Sequence, residues 1–304
     1  MTNLKWLASV ALAAATVSTL CAETRCPGNV ASVPLKIVNG YQIILAVSIN
    51  HSGPYNFLLD TGSQITIVDL SLAAELHLSA QGSANLVTAA ESSTSASVAQ
   101  VDLLETGSHA LANQTVLVYD FQKVNSAIHP IRGILGEDFL GRFDMLIDNA
   151  HSMLCLDDSA TLRANVKGTH IALVAPAQSA GSQPSPSQFI VAARVSNARR
   201  PIRLKLDSAS DVCVLYNVSQ FMTRALFSTT TSQEMQVDGA QRAFSVLPPQ
   251  EVMIGHLDLP GVSFVVPPGA ETNANMAEDG VLATGLFRRV FIDHVDHFAV
   301  LERW

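Results

Sequence analysis

Residues 57–70, "FLLDTGSQITIVDL", combine two strand-like apolar runs with an acidic loop, and this combination is the strongest indication of the fold. An apolar run ends at the acidic residue Asp60, and a second apolar run follows a few residues later. Between the two runs stand Thr61, Gly62 and Ser63. Asp, Gly and Ser are common turn formers, so a hairpin turn between two strands is the simplest interpretation. On its own, this stretch leaves open whether the acidic residue serves only that turn.

The acidic loop recurs in the second half of the chain. A shift of 147 residues places "YNFLLDTGSQITIV" on "IRLKLDSASDVCVL", so that Asp60 corresponds to Asp207. The same shift places Gly133 of "GILGEDFL" on Gly280 of "GVLATGLF". A simple turn has no reason to recur together with its surroundings. We therefore predict two similar halves, each with a strand, an acidic loop, a second strand, a variable middle, a short helix and a closing pair of strands.

Most of the remaining sequence favours β-structure. Short β-branched runs alternate with turn residues, as in "YQIILAVSIN" and "GVSFVVPP". Long helical periodicity is scarce, and Val68 to Leu78 is the best helical candidate. The predicted fold is mainly β, with two similar lobes.

A stretch rich in Pro, Ser, Gly and Gln, "PAQSAGSQPSPSQ", separates the two halves and has the composition of an exposed linker. It supports a domain boundary between the repeats. The predicted segments are a signal peptide at 1–22, an N-terminal segment at 23–36, a first lobe at 37–158, a linker at 159–187 and a second lobe at 188–304.

The N-terminus has the pattern of an export signal. A basic start at Lys5 is followed by an apolar stretch that ends at Leu20, which is shorter than the ~20 apolar residues of a membrane span. Cleavage is expected near Ala22, which predicts a secreted or periplasmic protein without a membrane span after signal removal. An uncleaved anchor is the alternative.

Composition excludes several partners. The chain has 304 residues, of which 48% are hydrophobic and 14% are charged, and its formal net charge is −8. It is therefore long enough for one large or two ordinary globular domains. No run of Lys and Arg appears, so neither nucleic acid nor an anionic membrane is an expected partner.

The cysteines predict no disulfide framework. If Cys21 is removed with the signal, three remain, Cys26, Cys155 and Cys213, without paired spacing. Cys155 and Cys213 stand in the apolar runs "MLCL" and "VCVL". Buried free thiols are therefore expected.

Other constellations predict neither a metal nor a cofactor. "DHVDH", residues 293–297, suggests metal ligands, but His294 and His297 would point to opposite faces of a strand, so a solvated closing strand is favoured. "GILGEDFLG" lacks the Lys-Ser/Thr of a phosphate loop. The chain has no G-x-S-x-G sequence, and Cys213 has no nearby His, which argues against serine and cysteine hydrolases.

The motifs resemble those of the aspartic peptidases. "LDTGS", the later "ILG" and the following "DFL" and "FDMLID" carry the resemblance, which extends from about Ile37 to the C-terminus. The size of each half is more similar to the retropepsin branch than to a full pepsin lobe. The resemblance implies two β lobes, an active-site cleft between them, and an exported endopeptidase with a polypeptide substrate.

By this resemblance, Asp60 and Asp207 are the expected catalytic pair. One ionised carboxylate takes a proton from water, while a second, protonated carboxyl group donates a proton to the attacked carbonyl oxygen. Two carboxyl groups in close contact share one proton because both cannot ionise cheaply, which is the known pattern of this family. The expected enzyme is thus an aspartic-type hydrolase.

The resemblance also assigns supporting roles around the pair. Gly62 would offer a backbone N–H to the carboxylate, Thr61 would hydrogen-bond to the opposing loop, and Ser63 would donate to the outer oxygen of Asp60. Ser208 and Ser210 would do the same in the second loop. The full set of supporting residues is Thr61, Gly62, Ser63, Ser208, Ala209 and Ser210.

The second half departs from the pattern at two positions. Ala209 stands where the family has Gly, and Ala283 corresponds to Gly136 of the first half. A methyl group at either position could push the loop out of register. Three alternatives follow: a monomer with an Asp60/Asp207 pair, a peptide-binding protein that does not cut, and a homodimer that uses Asp60 from two chains.

Overall fold

The computed structural model describes residues 25–38, 41–87, 93–121, 130–175, 189–218, 230–237, 240–268 and 278–304. These residues form mainly β-strands, with three short α-helices. The prediction of a mainly β fold is confirmed. The helices are α1 (Leu70–Glu75), α2 (Glu137–Leu140) and α3 (Thr161–Asn165), and two single turns of 3-10 helix cover Pro27–Asn29 and Thr284–Leu286.

The strands, numbered along the chain, form three sheets. An eight-stranded sheet contains β2 (Leu35–Val38), β3 (Gln42–Ile49), β4 (Ser52–Leu59), β5 (Ile67–Asp69), β6 (Ala80–Val87), β7 (Ser93–Thr106), β8 (His109–Tyr119) and β9 (Gly133–Leu135). A nine-stranded sheet contains β13 (Ile190–Val195), β14 (Ile202–Asp207), β15 (Cys213–Leu215), β16 (Thr231–Val237), β17 (Ala240–Val246), β18 (Gln250–Ile254), β19 (Leu257–Val262), β20 (Phe264–Val266) and β21 (Gly280–Ala283). A six-stranded sheet contains β1 (Ser32–Val33), β10 (Asp144–Asp148), β11 (Met153–Asp157), β12 (Ile171–Ala172), β22 (Phe287–Asp293) and β23 (Phe298–Arg303).

The same pairing pattern surrounds the acidic loop in each half. In the eight-stranded sheet, β9 runs parallel to β4, with Leu59 opposite Leu135, and antiparallel to β5. In the nine-stranded sheet, β21 runs parallel to β14, with Leu206 opposite Leu282, and antiparallel to β15. Both acidic loops therefore begin at the end of a strand whose neighbour leads into an apolar-apolar-Gly/Ala step, which is Ile134-Leu135-Gly136 in the first half and Val281-Leu282-Ala283 in the second.

The closing strands of the two halves share one sheet. The six-stranded sheet has the order β1-β11-β10-β22-β23-β12, and β10 pairs with β22 with Met145 opposite Ile292. Both of these side chains are buried. Strands from the two halves thus share a hydrogen-bonded ladder, which fixes the halves relative to one another beneath the acidic loops.

Secondary structure occupies parts of the chain that the sequence assigned to a linker and an N-terminal segment. Within 159–187, α3 packs beside β10 and β11, and β12 pairs with β23. Within 23–36, β1 pairs with β11. The polar stretch at 176–188 lies outside the described residues, as does the predicted signal peptide.

The helix expected from Val68 to Leu78 is shorter and begins later. Val68 belongs to β5, where it is fully buried, and α1 begins only at Leu70. Asp69 starts the helix because its side chain accepts a hydrogen bond from the N–H of Ser71 at 3.0 Å. The β-branched residues before Asp69 favour a strand. The helical spacing of the apolar residues from Val68 onward concealed this preference in the sequence.

The cysteine prediction was wrong for two residues. Cys26 and Cys155 form a disulfide across a separation of 129 residues, while Cys213 is free and buried, as expected. The pairing of β1 with β11 places Ser32 opposite Cys155 and so brings the N-terminal segment against β11. Local spacing does not reveal such a long-range pair.

No helix among the described residues is long and apolar enough to cross a membrane.

Replacing both Cys26 and Cys155 with Ala should lower the free energy of unfolding by about 2 to 4 kcal/mol, because the crosslink restricts the unfolded chain over a long loop. Urea denaturation without reductant measures this loss. Dithiothreitol should destabilise the wild type but leave the double variant unchanged. Equal stability of both proteins without reductant would contradict the disulfide.

Candidate active site

Two acidic loops lie at the junction of the two halves. The first connects β4 to β5, and the second connects β14 to β15. The N–H of Asp60 donates to the carbonyl of Leu135 at 3.1 Å, which ties the first loop to β9. Asp207 is the last residue of β14 and stands opposite Ala283 of β21. Each aspartate is thus held by the strand that carries the apolar step of its own half.

Thr61 and Ser208 bind the two loops together. The Thr61 hydroxyl donates to the carbonyl of Leu206 at 2.7 Å, and the Ser208 hydroxyl donates to the carbonyl of Leu59 at 2.9 Å. The N–H of each residue also donates to the hydroxyl of the other, at 3.1 Å from Thr61 and 2.9 Å from Ser208. Both residues are buried. Four hydrogen bonds shielded from water therefore join the halves at this point.

The first carboxylate accepts two backbone hydrogen bonds. Asp60 Oδ1 accepts from the N–H of Gly62 at 2.8 Å and from the N–H of Ser63 at 3.0 Å. Ser63 was expected to donate to Asp60, and its backbone N–H does so. The Ser63 hydroxyl donates to the carbonyl of Ile65 at 2.8 Å, since a serine side chain readily bonds the backbone two residues further on.

The second loop repeats this arrangement. Asp207 Oδ1 accepts from the N–H of Ala209 at 2.8 Å and from the N–H of Ser210 at 3.1 Å. The Ser210 hydroxyl donates to the carbonyl of Val212 at 2.7 Å. Ala209 thus donates at the same distance as Gly62 does in the first loop. Its methyl group leaves this contact of the loop intact.

The hydrogen bonds of Thr61 and Ser208 hold the two loops across each other, an arrangement called the loop crossing below. It brings the two carboxyl groups together at Gly62. The N–H of Gly62 binds Asp60, and a Cβ atom at Gly62 would lie only 2.7 Å from the carboxyl group of Asp207. Glycine is therefore required here by close approach. Burial and the charge of Asp207 raise the pKa of Asp60 to about 7, and burial also raises the pKa of Asp207. Such a pair holds a proton at pH values where an isolated Asp has lost it.

The second departure from the repeat, Ala283, lies beside a cysteine that replaces a threonine of the first half. A Cβ at Gly136 would meet the backbone of Ile65 at 2.6 Å, so only glycine suits the first half. In the second half, Ala283 is buried in β21, and its backbone hydrogen-bonds the Cys213 thiol. Cys213 corresponds to Thr66 of the first half, whose hydroxyl accepts from the N–H of Gly136 at 3.2 Å. A sulfur atom thus takes the role of that hydroxyl beside Ala283.

A buried contact between Lys205 and Glu137, which was not predicted from the sequence, lies beneath the loops. Lys205 Nζ lies 3.2 Å from Glu137 Oε2, and both side chains are almost completely buried. Lys205 interrupts the apolar pattern of "IRLKLD" at the position where the first half has Leu58. That mismatch within the repeat was the available signal.

The interpretation of "DHVDH" as a solvated strand was right about solvent exposure at residues 295–297 but wrong about the strand. β22 ends at Asp293, which is buried, and residues 294–297 form a turn. His294 Nδ1 lies 2.7 Å from Asp144 Oδ1, and Arg163 Nε lies 3.4 Å from Asp293 Oδ2. The cluster therefore holds the ends of β10 and β22 together. Within the described ranges, no group of three or more His, Cys, Asp or Glu residues is arranged to hold a metal ion.

Comparison with known proteins supports an aspartyl protease pattern in the first half. The aspartyl protease family model matches residues 45–139, which include Asp60 but not Asp207. A comparison with curated proteins finds no match.

Three solved structures are similar to this chain at low identity. A retropepsin-like aspartic protease from Rickettsia conorii is 18% identical, with 42% of this chain and 90% of that chain covered and a TM-score of 0.31. Conglutin gamma, a basic 7S globulin from lupine seeds, is 10% identical, with 89% and 94% covered and a TM-score of 0.49. Basic 7S globulin from soybean is 7% identical, with 89% and 95% covered and a TM-score of 0.42.

Thr61→Val should lower the free energy of unfolding by about 1 to 3 kcal/mol, because it removes the hydroxyl that bonds Leu206 and leaves the N–H of Ser208 buried without an acceptor. Urea denaturation measures the change. Thr115→Val is the matched control, since Thr115 is exposed on β8 and its replacement should cost less than about 0.5 kcal/mol. Equal effects of the two substitutions would contradict the importance of the loop crossing.

The protein should be more stable in mild acid than at alkaline pH. Burial raises the pKa of Glu137 from 4.5 to about 8, although Lys205 opposes the rise. A carboxyl group with a raised pKa contributes stability that is complete below its unfolded pKa and is lost as pH rises through its folded pKa. The free energy of unfolding should therefore fall by roughly 1 to 3 kcal/mol between pH 5 and pH 8.

Urea denaturation at several pH values measures this decline. The decline should be smaller in Glu137→Gln, which removes the titrating group, and unchanged in Glu251→Gln, because Glu251 is exposed. A stability that rises from pH 5 to pH 8 would contradict the raised carboxyl pKa values.

Proposed function

We propose that this protein is an exported aspartic endopeptidase that hydrolyses peptide bonds with a water activated by Asp60 and Asp207. The observation that carries the proposal is the crossing of the two acidic loops, which places both carboxyl groups beside Gly62. The family match of residues 45–139 supports the same chemistry for the first loop. The substrate class is a polypeptide.

The proposed reaction uses the two carboxyl groups as one acid–base unit. With a single proton between them, the ionised group takes a proton from water while the water oxygen attacks the carbonyl carbon, and the protonated group donates its proton to the carbonyl oxygen. The proton taken from water then passes to the amide nitrogen as the C–N bond breaks. The raised pKa of Asp60 and Asp207 supports a shared proton at acidic to neutral pH.

The contacts favour a site within one chain over a homodimeric site. Ser208 of the second half occupies the position that Thr61 of another chain would fill in a symmetric dimer, and it makes the reciprocal hydrogen bonds. The strand pattern around Asp207 repeats that around Asp60. An internal duplication that yields two lobes with a cleft between them accounts for both features.

The preserved loop geometry also favours catalysis over peptide binding alone. The N–H of Ala209 donates to Asp207 at 2.8 Å, so the substitution of Gly by Ala leaves the second carboxylate oriented as the first. The hairpin of β6 with β7 and the hairpin of β16 with β17 lie in the variable middles of the two halves. These hairpins are the proposed source of sequence specificity.

Asp60→Asn and Asp207→Asn should each abolish peptide cleavage, because a carboxyl group beside an amide cannot exchange the acid and base roles. Digestion of an unfolded protein from acidic to neutral pH measures the activity. Asp102→Asn is the control, since Asp102 is exposed on β7. Full activity of Asp207→Asn in a protein that sediments as a dimer would instead support a shared site built from two copies of Asp60.

The mature protein should begin close to Glu23, because the apolar run ends there. The disulfide between Cys26 and Cys155 supports export, since disulfides persist mainly in oxidising compartments. N-terminal sequencing of protein from the producing cell tests this proposal. An intact Met1 terminus in the membrane fraction would indicate an anchor instead.

A further inference from the structure

Lys205 is a buried cation on the strand that carries Asp207. Its side chain is 2% exposed, and lysine is almost never fully buried unless it is paired. It lies two residues before Asp207 on β14, so the two side chains point to the same face of the strand, roughly 7 Å apart along its axis. The ammonium group is therefore positioned beneath the acidic loops.

The partner of Lys205 belongs to the other half of the chain. Glu137 begins α2 immediately after Gly136, and its carboxylate lies 3.2 Å from the Lys205 ammonium. The N–H of Glu137 donates to the carbonyl of Ser63 at 2.9 Å. The pair thus joins the strand of Asp207 to the segment that supports the loop of Asp60.

The charges around Lys205 allow its ammonium group to stabilise the ionised form of the Asp60/Asp207 pair. Burial raises the pKa of both Asp60 and Asp207, and the positive charge of Lys205 opposes that rise. Burial raises the pKa of Glu137 to about 8, so that Glu137 is protonated in acid and does not cancel the charge of Lys205. The acidic groups that interact with the charge of Lys205 are Asp60, Asp207, Glu137 and Glu278. Next to these groups lie Asp138 beside Glu137, Arg203 beside Glu278 and Asp279, and Cys213 beside Asp207.

We propose that Lys205 is a positioning residue whose buried ammonium is the counterion of the singly ionised Asp60/Asp207 pair and sets the pH range in which that pair works. The proposal rests on the proposed function, because it concerns the same two carboxyl groups. It follows from three features: the burial of Lys205, its place on the same strand face as Asp207, and its contact with Glu137 beneath the first loop.

An ordinary structural ion pair would behave differently. If Glu137 were ionised and cancelled the charge of Lys205, removing Glu137 would expose the aspartates to an unbalanced cation. Glu137→Gln would then move both the acidic limb and the alkaline limb of the pH profile of kcat/KM to lower pH. With Glu137 protonated, the isosteric Gln replaces it without a change of charge, so the limbs should move little.

The test is the pH dependence of kcat/KM in Lys205→Met. Removing the cation raises the pKa of both ionisations of the aspartate pair, so both limbs should shift to higher pH by about one to two units. Lys167→Met is the matched control, because Lys167 is exposed after α3 and its profile should match that of the wild type. Glu137→Gln should shift the limbs much less than Lys205→Met.

A second variant covers the case in which Lys205→Met does not fold. The double variant Lys205→Met/Glu137→Gln removes both members of the buried pair, a change that folded proteins often tolerate. Its limbs should shift upward as those of Lys205→Met do. Unshifted limbs in a folded Lys205→Met or double variant would overturn the proposal, and so would a downward shift in Glu137→Gln.

Carboxyl-carbon NMR of the Asp side chains makes the test independent of catalysis. The titration of Asp60 and Asp207 should move to higher pH in Lys205→Met even if the wild type cleaves no peptide. In that case the proposed function fails while the inference about Lys205 stands. Unchanged Asp titration would overturn the inference whether or not the protein is a protease.

Discussion

The hydrogen bonds between Thr61 and Ser208 are the constraint on which the rest of the site depends. Each hydroxyl donates to a carbonyl of the opposing strand, and each N–H donates to the opposing hydroxyl. Because the bonds are reciprocal, neither loop can move away without leaving buried polar groups unpaired. They therefore hold the carboxyl groups of Asp60 and Asp207 close to Gly62, although two ionised carboxylates would repel each other.

The proximity of the two carboxyl groups affects their protonation, which also depends on residues beneath the loops. Burial favours the protonated form of each aspartate, whereas backbone N–H groups and the Lys205 ammonium favour the ionised form. The balance raises the pKa of Asp60 to about 7, so this carboxyl group keeps its proton toward neutral pH. The shared six-stranded sheet and the Lys205–Glu137 contact tie the two halves together beneath the loops, so the balance is set by residues of both halves.

The internal repeat made the positions of Asp60 and Asp207 predictable, because both the acidic loops and the apolar steps recur at one shift. The disulfide between Cys26 and Cys155 was not predictable, and although the repeat mismatch at Lys205 marked that position, its partner Glu137 was not predictable either. Each of these contacts joins residues far apart in sequence. The motif predicted that Ser63 donates to Asp60, but it did not predict which group of Ser63 is the donor. The N–H bonds the carboxylate, whereas the hydroxyl bonds the Ile65 carbonyl, and residue type alone does not decide between these acceptors.

The binding stoichiometry of a statine-type transition-state analogue distinguishes a site in which one chain supplies both aspartates from a site shared by two chains. Calorimetric titration at acidic pH should give one inhibitor per chain, because the inhibitor hydroxyl would take the place of the water between Asp60 and Asp207. One inhibitor per two chains would contradict the single-chain site and indicate a homodimeric site. Absence of binding across acidic to neutral pH would contradict the acid–base pair itself.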